Sequence, residues 1–278
     1  MIVRIFSGLT ALAILLAITF ANVEIFAVVC CVLAILAVNE LFNSFRKEGF
    51  KPLKVFGFIW CLAIPIISLK PQYGAMFNNF VPSGDTSGVI YLAFFASTVV
   101  LFAILVFNIE NTSSGDIAST ILGTIYIVLS FTCLVLIRTL PGGDKLIWIA
   151  FIGAWATDTF AYLLGMAFGK TKILPLVSPK KSLEGTVGGV IGCIIVITIF
   201  AIINRDSFNM NIYLVVLLGS LCGIFSQLGD WAMSAFKRKS GIKDFGKFLP
   251  GHGGVLDRFD SILFVSPLIY GFLSLFIK

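Results

Sequence analysis

The sequence is short of charge. Asp, Glu, Lys and Arg make up 12% of its 278 residues, while 58% are hydrophobic. A soluble domain carries about 25% charged residues, so this chain cannot cover a water-facing globular surface. Histidine is nearly missing, with His252 alone in the chain. The six cysteines, Cys30, Cys31, Cys61, Cys133, Cys193 and Cys222, fall inside apolar runs and form no C-x-x-C pair. A zinc site or disulfide framework is therefore excluded, and the thiols read as small hydrophobes. No G-x-x-x-x-G-K-[ST] run is present, which excludes a Walker-type ATPase. Ten-residue alternation, the mark of membrane barrel strands, is also absent.

What the sequence does have is repeated apolar runs. A bilayer-spanning helix needs roughly 20 mostly apolar residues. Such runs fall near 5–20, 25–41, 55–69, 89–107, 117–137, 146–168, 186–203, 212–236 and 259–277. The first and third are short enough to be tilted, re-entrant or interfacial. In hydrocarbon every backbone N–H and C=O needs an internal partner, so helices are expected throughout. The expected fold is all-α and polytopic, with about nine transmembrane helices. Residues 1–140 supply about five of them. Residues 141–278 form a catalytic region with two basic loops, 170–185 and 237–258. Arg4 and the apolar run behind it resemble a signal peptide, but no small-x-small cleavage site follows, and a retained helix is expected.

Basic residues mark cytoplasmic loops. With nine spans and a cytoplasmic N-terminus, 15 of the 20 Lys and Arg residues fall inside. Only Lys70, Arg138, Lys145, Arg205 and Lys278 fall outside. Two inside loops, GKTKILPLVSPKKSLEGTVGG and KRKSGIKDFGKFLPGHGG, are also rich in Gly, Pro and Ser. Attraction to anionic lipid headgroups explains their charge, at about 1 kcal/mol per basic residue near the surface. It does not explain the glycines, which permit positive φ and backbone N–H nests for phosphate oxygens.

The chain has 14 acids, so those within apolar runs stand out, because an intramembrane acid is costly and is a functional candidate. Asp158 lies mid-span. Asp230 lies seven residues before Lys237, roughly 10 Å below the basic segment at 1.5 Å per helical residue. Asp257 and Asp260 are three apart and share a helix face, with Arg258 pointing elsewhere. Clustered carboxylates repel one another unless a cation joins them. Asp230, Asp257 and Asp260 with phosphate oxygens would suit Mg²⁺. Helix capping, pairing with Arg258 and a proton relay are the other readings of these acids. His252, between glycines, fits a phosphate contact, a general acid/base or a plain loop position.

The run SAFKRKSGIKDFGKFLPGHGGVLDRFD, residues 234–260, resembles the signature of the phosphatidate cytidylyltransferase family, also called CDP-diacylglycerol synthases. Ser234, Lys237, Arg238, Lys243, Asp244, Gly246, Pro250, Gly251, His252, Gly253, Gly254, Asp257, Arg258 and Asp260 fall in register. Ser178 to Ser182 with Glu184-Gly185 resemble a second family motif, and Asp158-Thr159, Ala161-Tyr162 and Gly169-Lys170 a third. Met166 stands where a basic residue is common, and Phe160 where a small one is. The resemblance covers the C-terminal half; residues 1–140 match only as generic spans.

The resemblance implies a Mg²⁺-dependent reaction of CTP with phosphatidic acid, giving CDP-diacylglycerol and pyrophosphate. It also implies a homodimeric membrane protein whose partners are CTP, phosphatidic acid and membrane lipids, with no nucleic acid. Asp230, Asp257 and Asp260 would hold the metal. Lys237, Arg238, Lys243 and Arg258 would clamp phosphates, with Asp244 and His252 beside them. Asp158, Ser178, Lys180, Lys181, Ser182, Glu184, Ser234, Gly251, Gly253 and Gly254 would contact substrate, and the 178–182 loop serves lipid binding equally well. Three carboxylates and two phosphates leave room for a second, monovalent cation such as K⁺. A bacterial inner membrane is the expected location, with the site at the cytoplasmic interface. The rivals are a proton-coupled transporter using Asp158 and Asp230, and a scaffold that gathers anionic lipids. Enzymes acting on CDP-alcohols rank low, since their D-x-x-D-G pattern is missing.

Overall fold

The computed structural model describes residues 10, 13–69, 86–208, 210–248, 251 and 253–277. Besides a helical stretch over residues 13–20, nine helices lie among them: α1 (Val23–Lys47), α2 (Lys54–Ser68), α3 (Thr86–Phe107), α4 (Ser114–Thr139), the single turn α5 (Gly143–Leu146), α6 (Trp148–Phe168), α7 (Leu183–Ile203), α8 (Ile212–Lys239) and α9 (Leu256–Phe276). No strand occurs among the described residues; an isolated bridge pairs Lys172 with Ser182. Seven helical segments are long and apolar enough to cross a membrane: α1, α3, α4, α5 with α6, α7, α8 and α9. The chain is an all-helical polytopic membrane protein. Helix α2 has 15 residues, about 22 Å at 1.5 Å per residue, short of a hydrocarbon core of about 30 Å. Of the expected first span, 5–20, residues 10 and 13–20 are described and helical, while 5–9, 11 and 12 lie outside the described residues.

Between helices in lipid there is little hydrophobic drive, so close packing of small residues does the joining. The α6–α7 seam shows this. Gly185, Gly188, Gly189 and Gly192 of α7 lie against Ala161, Leu164, Thr157 and Phe160 of α6, and a Cβ on Gly189 would come within 2.9 Å of the Thr157 carbonyl. The bulk of Phe160 is accommodated because Gly192 faces it. On α8, Gly223 meets Val190 of α7, while Gly229 meets Phe264 and the Asp260 carbonyl of α9.

Helix α4 bridges the two halves. Its N-terminus carries a capping box, with Ser113 and Asp116 each accepting the other's backbone N–H, an arrangement that satisfies two orphan donors. Asp116 also accepts the Lys51 N–H, and Thr120 Oγ1 accepts the Leu53 N–H at 2.9 Å, so the α1–α2 turn is stapled to α4. Further along, the Ser266 hydroxyl of α9 donates to the Ser130 carbonyl of α4 at 2.9 Å. The turn 48–53, the segment 169–182 and the segment 240–255 all meet at one end of the bundle. At the other end Arg138 donates to the Ala21 carbonyl and Gly142 lies against Ser207.

Candidate active site

The charged end is built from two segments and the helix ends beside them. Segment 240–255 connects α8 to α9. Asp257, in the first turn of α9, is buried. Its Oδ1 accepts from the Lys237 ammonium at 2.9 Å, and its Oδ2 accepts the backbone N–H groups of Phe245 at 2.8 Å and Gly254 at 2.9 Å. Lys237 also lies over the Phe245 ring, 5.5 Å from its centroid. Asp257 thus braces the segment leading into α9, with Lys237 as its ionic partner. Arg258 is exposed. Acids at a helix N-terminus complement its dipole.

Glycines make room for these carboxylates. Gly253 has φ +91°, a left-handed conformation, and a Cβ there would lie 2.9 Å from Asp257 Oδ2. A Cβ on Gly254 or Gly246 would run into the carboxylate of Glu40. Glu40, on α1, is buried, and accepts the Val255 N–H at 3.0 Å and the Leu256 N–H at 2.8 Å. Sequence reasoning missed it. The available signal was an acid inside an apolar run, followed at helical spacing by Ser44 and Glu48. Those two also face the segment: Ser240 Oγ lies 2.6 Å from Ser44 Oγ and from Glu48 Oε1.

Segment 169–182 connects α6 to α7. Ser182 caps α7, accepting the Gly185 N–H at 3.2 Å, as N-cap serines do. Glu184 accepts the Lys170 N–H at 3.0 Å and the Thr171 N–H, so both residues shape the loop. Arg238 closes it onto α8 by donating to the Val177 carbonyl at 3.2 Å. Beneath the loop is a cavity of about 580 Å³, lined among others by Asp158, Tyr162, Met166, Ser178, Lys180 and Lys181. That volume suits a small-molecule ligand, for which roughly 300–1,000 Å³ is usual.

Lys181 ties the cavity to α8. It forms an ion pair with Asp230 and lies 5.7 Å from the Trp231 ring centroid. Burial pushes its ammonium down to about 8, with Asp158 and Asp260 opposing that shift and Lys237 adding to it. Asp230 also receives a long bond from Ser234, at 3.4 Å. Asp260, half-buried, accepts the Ser261 N–H at 2.7 Å. Lys243, Asp244 and Gly251 are exposed on their loop, and His252 lies outside the described residues. Of the sequence candidates, the structure thus brings together Asp158, Lys181, Asp230, Lys237, Asp257 and Asp260.

Among the described residues, no three Asp, Glu, His or Cys side chains are placed to hold a metal ion by themselves. Asp257 has both oxygens engaged. Asp230 and Asp260 retain acceptor capacity, and four carboxylates outnumber the two ammonium groups among them. Such a donor set does not form a closed cage. It fits Mg²⁺, which is usually bound by one or two carboxylates with substrate phosphates completing its shell.

A sequence model of the cytidylyltransferase family matches residues 2–276. The phosphatidate cytidylyltransferase of Staphylococcus haemolyticus is 36% identical over 267 residues, covering 96% of each chain. Those of Staphylococcus saprophyticus and Staphylococcus aureus are 35% and 34% identical, again over 96% of each chain.

Proposed function

The chain belongs to the cytidylyltransferase family, and from that premise we propose how its charged end makes CDP-diacylglycerol from CTP and phosphatidic acid. A phosphate oxygen of phosphatidic acid attacks the α-phosphorus of CTP in line. The bond from the α-phosphorus to the bridging oxygen breaks, and pyrophosphate leaves. Both reactants are anions, so positioning and charge neutralisation carry most of the catalysis. Lys181, beside the cavity, and Arg238 are the cations best placed to receive phosphate, with Lys180, Lys243 and Arg258 exposed around them. Lys237 is held by Asp257 and fixes the start of α9. Asp230 and Asp260 would hold Mg²⁺, and Asp257 would join them once Lys237 turned to a phosphate. When bound, the ion supplies positive charge to phosphate oxygens; the donor set leaves space for a monovalent cation such as K⁺.

The observation carrying this reading is the convergence of Lys181, Asp230, Lys237 and Asp257 from a loop and two helices at one end of a membrane bundle. That end also collects most of the Lys and Arg residues, which favours a cytoplasmic placement. Since α1 ends and α4 begins there, α2 and α3 would cross and return between them, making nine crossings with the helical residues 13–20. CTP then arrives from the cytosol while the lipid stays in the bilayer. The bacterial relatives favour a cytoplasmic membrane, and a homodimer belongs to the same proposal.

The test is direct. Purified protein in detergent is incubated with phosphatidic acid, Mg²⁺ and CTP labelled at the α-phosphate, and label is sought in the lipid phase. Transfer that EDTA abolishes is expected. Retention of all label in water-soluble products would overturn the reading.

A further inference from the structure

On the reading that the charged end is the reaction centre, we propose that Glu40 is a positioning residue for the reaction, capping from α1 the helix that carries Asp257, Arg258 and Asp260. Orphan N–H groups at a helix start are normally met by a residue just before it. At α9 the residue in that place is Val255, whose side chain makes no cap. Instead, two of the donors there, Val255 and Leu256, are met by Glu40, 215 and 216 residues away in sequence. Asp257 meets the N–H groups of Phe245 and Gly254 beside them. The two carboxylates thus interlock around the same turn, and Gly246 and Gly254 leave room for Glu40.

The arrangement gives the N-terminal helices a role in catalysis without touching substrate. Glu40 sits in a row with Ser44 and Glu48, one helical turn apart. Ser44 and Glu48 hold the end of α8 through Ser240, whereas Glu40 holds the start of α9. Face to face with α1, therefore, the helices bearing Asp230 and Asp260 are set at one mutual angle and depth. Charge-assisted bonds to buried groups are the strong ones, and a displacement of about 1 Å at a reacting centre can cost on the order of 100-fold in rate.

The experiment compares full-length wild type with Glu40→Gln, which keeps side-chain length but has a single acceptor oxygen for two N–H groups. Glu40→Ala is made alongside; should it fail to fold, the Gln variant carries the test. Hydrogen–deuterium exchange in detergent, without substrate, is expected to show faster exchange across 254–257. Steady-state kinetics are expected to show kcat lowered roughly 10- to 100-fold, as for loss of a bond to a charged group, with KM for CTP moving less than about threefold and the folded fraction unchanged. Val32→Ala, at an exposed position about two turns away on the same helix, is expected to keep kcat within about twofold. Unchanged exchange in Glu40→Gln overturns the contact. Faster exchange with wild-type kcat, or an equal kcat loss in Val32→Ala, overturns the positioning role. The exchange arm needs no substrate, so failure of this contact and failure of the proposed reaction are read separately.

Discussion

The two basic segments at the charged end are held on opposite plans. Segment 240–255 is fixed from elsewhere in the fold: Glu40 and Asp257, both buried, accept four backbone N–H groups from it and from the first turn of α9. Segment 169–182 is fixed mainly by its own neighbours, through the Ser182 cap and the exposed bonds of Glu184, with one bond from Arg238 of α8 to its Val177 carbonyl, and sends Lys181 inward to Asp230. Buried charge-assisted bonds are strong, while exposed ones are screened by solvent. The contrast is between a platform that sets backbone geometry and a loop that presents cations to a cavity.

Asp257→Ala tests the platform hardest. It leaves the Lys237 ammonium and two buried N–H groups unpaired, and breaking such a pair typically costs about 3–5 kcal/mol. A large fall in thermal stability in detergent, together with loss of lipid labelling, is the expected result; a stable, active variant would remove the contrast. Asp260→Ala separates chemistry from architecture, since its carboxylate accepts only from the adjacent Ser261 N–H among the described residues. Folded protein with lipid labelling lowered on the order of 100-fold is expected, the scale for losing one preorganised electrostatic group.

Lys181 sharpens the other side. Its ammonium is held down to about 8 by burial, so the charged form is present below that pH and lost above it. The kcat/KM for CTP is expected to fall as pH rises through about 8, and Lys181→Arg, which stays protonated, is expected to remove that alkaline limb. A limb unchanged in the arginine variant would assign it to another group. The smallest effect is expected at Glu184→Gln, where exposed backbone bonds are weakened: kcat/KM within about twofold of wild type. A loss as deep as that of Asp260→Ala would place Glu184 on substrate instead.

Legibility in the sequence followed the range of the forces involved. The long helices were readable to within a few residues because apolar length is a local property, although α1 runs on to Lys47 and α8 to Lys239, past the apolar runs that signalled them. Asp257 and Asp260 were readable as a shared helix face, with Arg258 turned out. The partners were not. Ser182, Glu184, Gly253 and Gly254 read as substrate contacts; the sequence did not show what they also do within the protein, a cap, a loop brace and room for two carboxylates. Spacing reports that a glycine is needed; it does not report whether a phosphate or a glutamate fills the space.

Glu40 marks the boundary most clearly. A hydrocarbon solvent obliges the backbone to be helical, so membrane class follows from residues read in order. Which carboxylate meets which N–H follows from how α1 seats against α8 and α9, a matter of side-chain packing between segments some 200 residues apart. No periodicity along the chain encodes that distance.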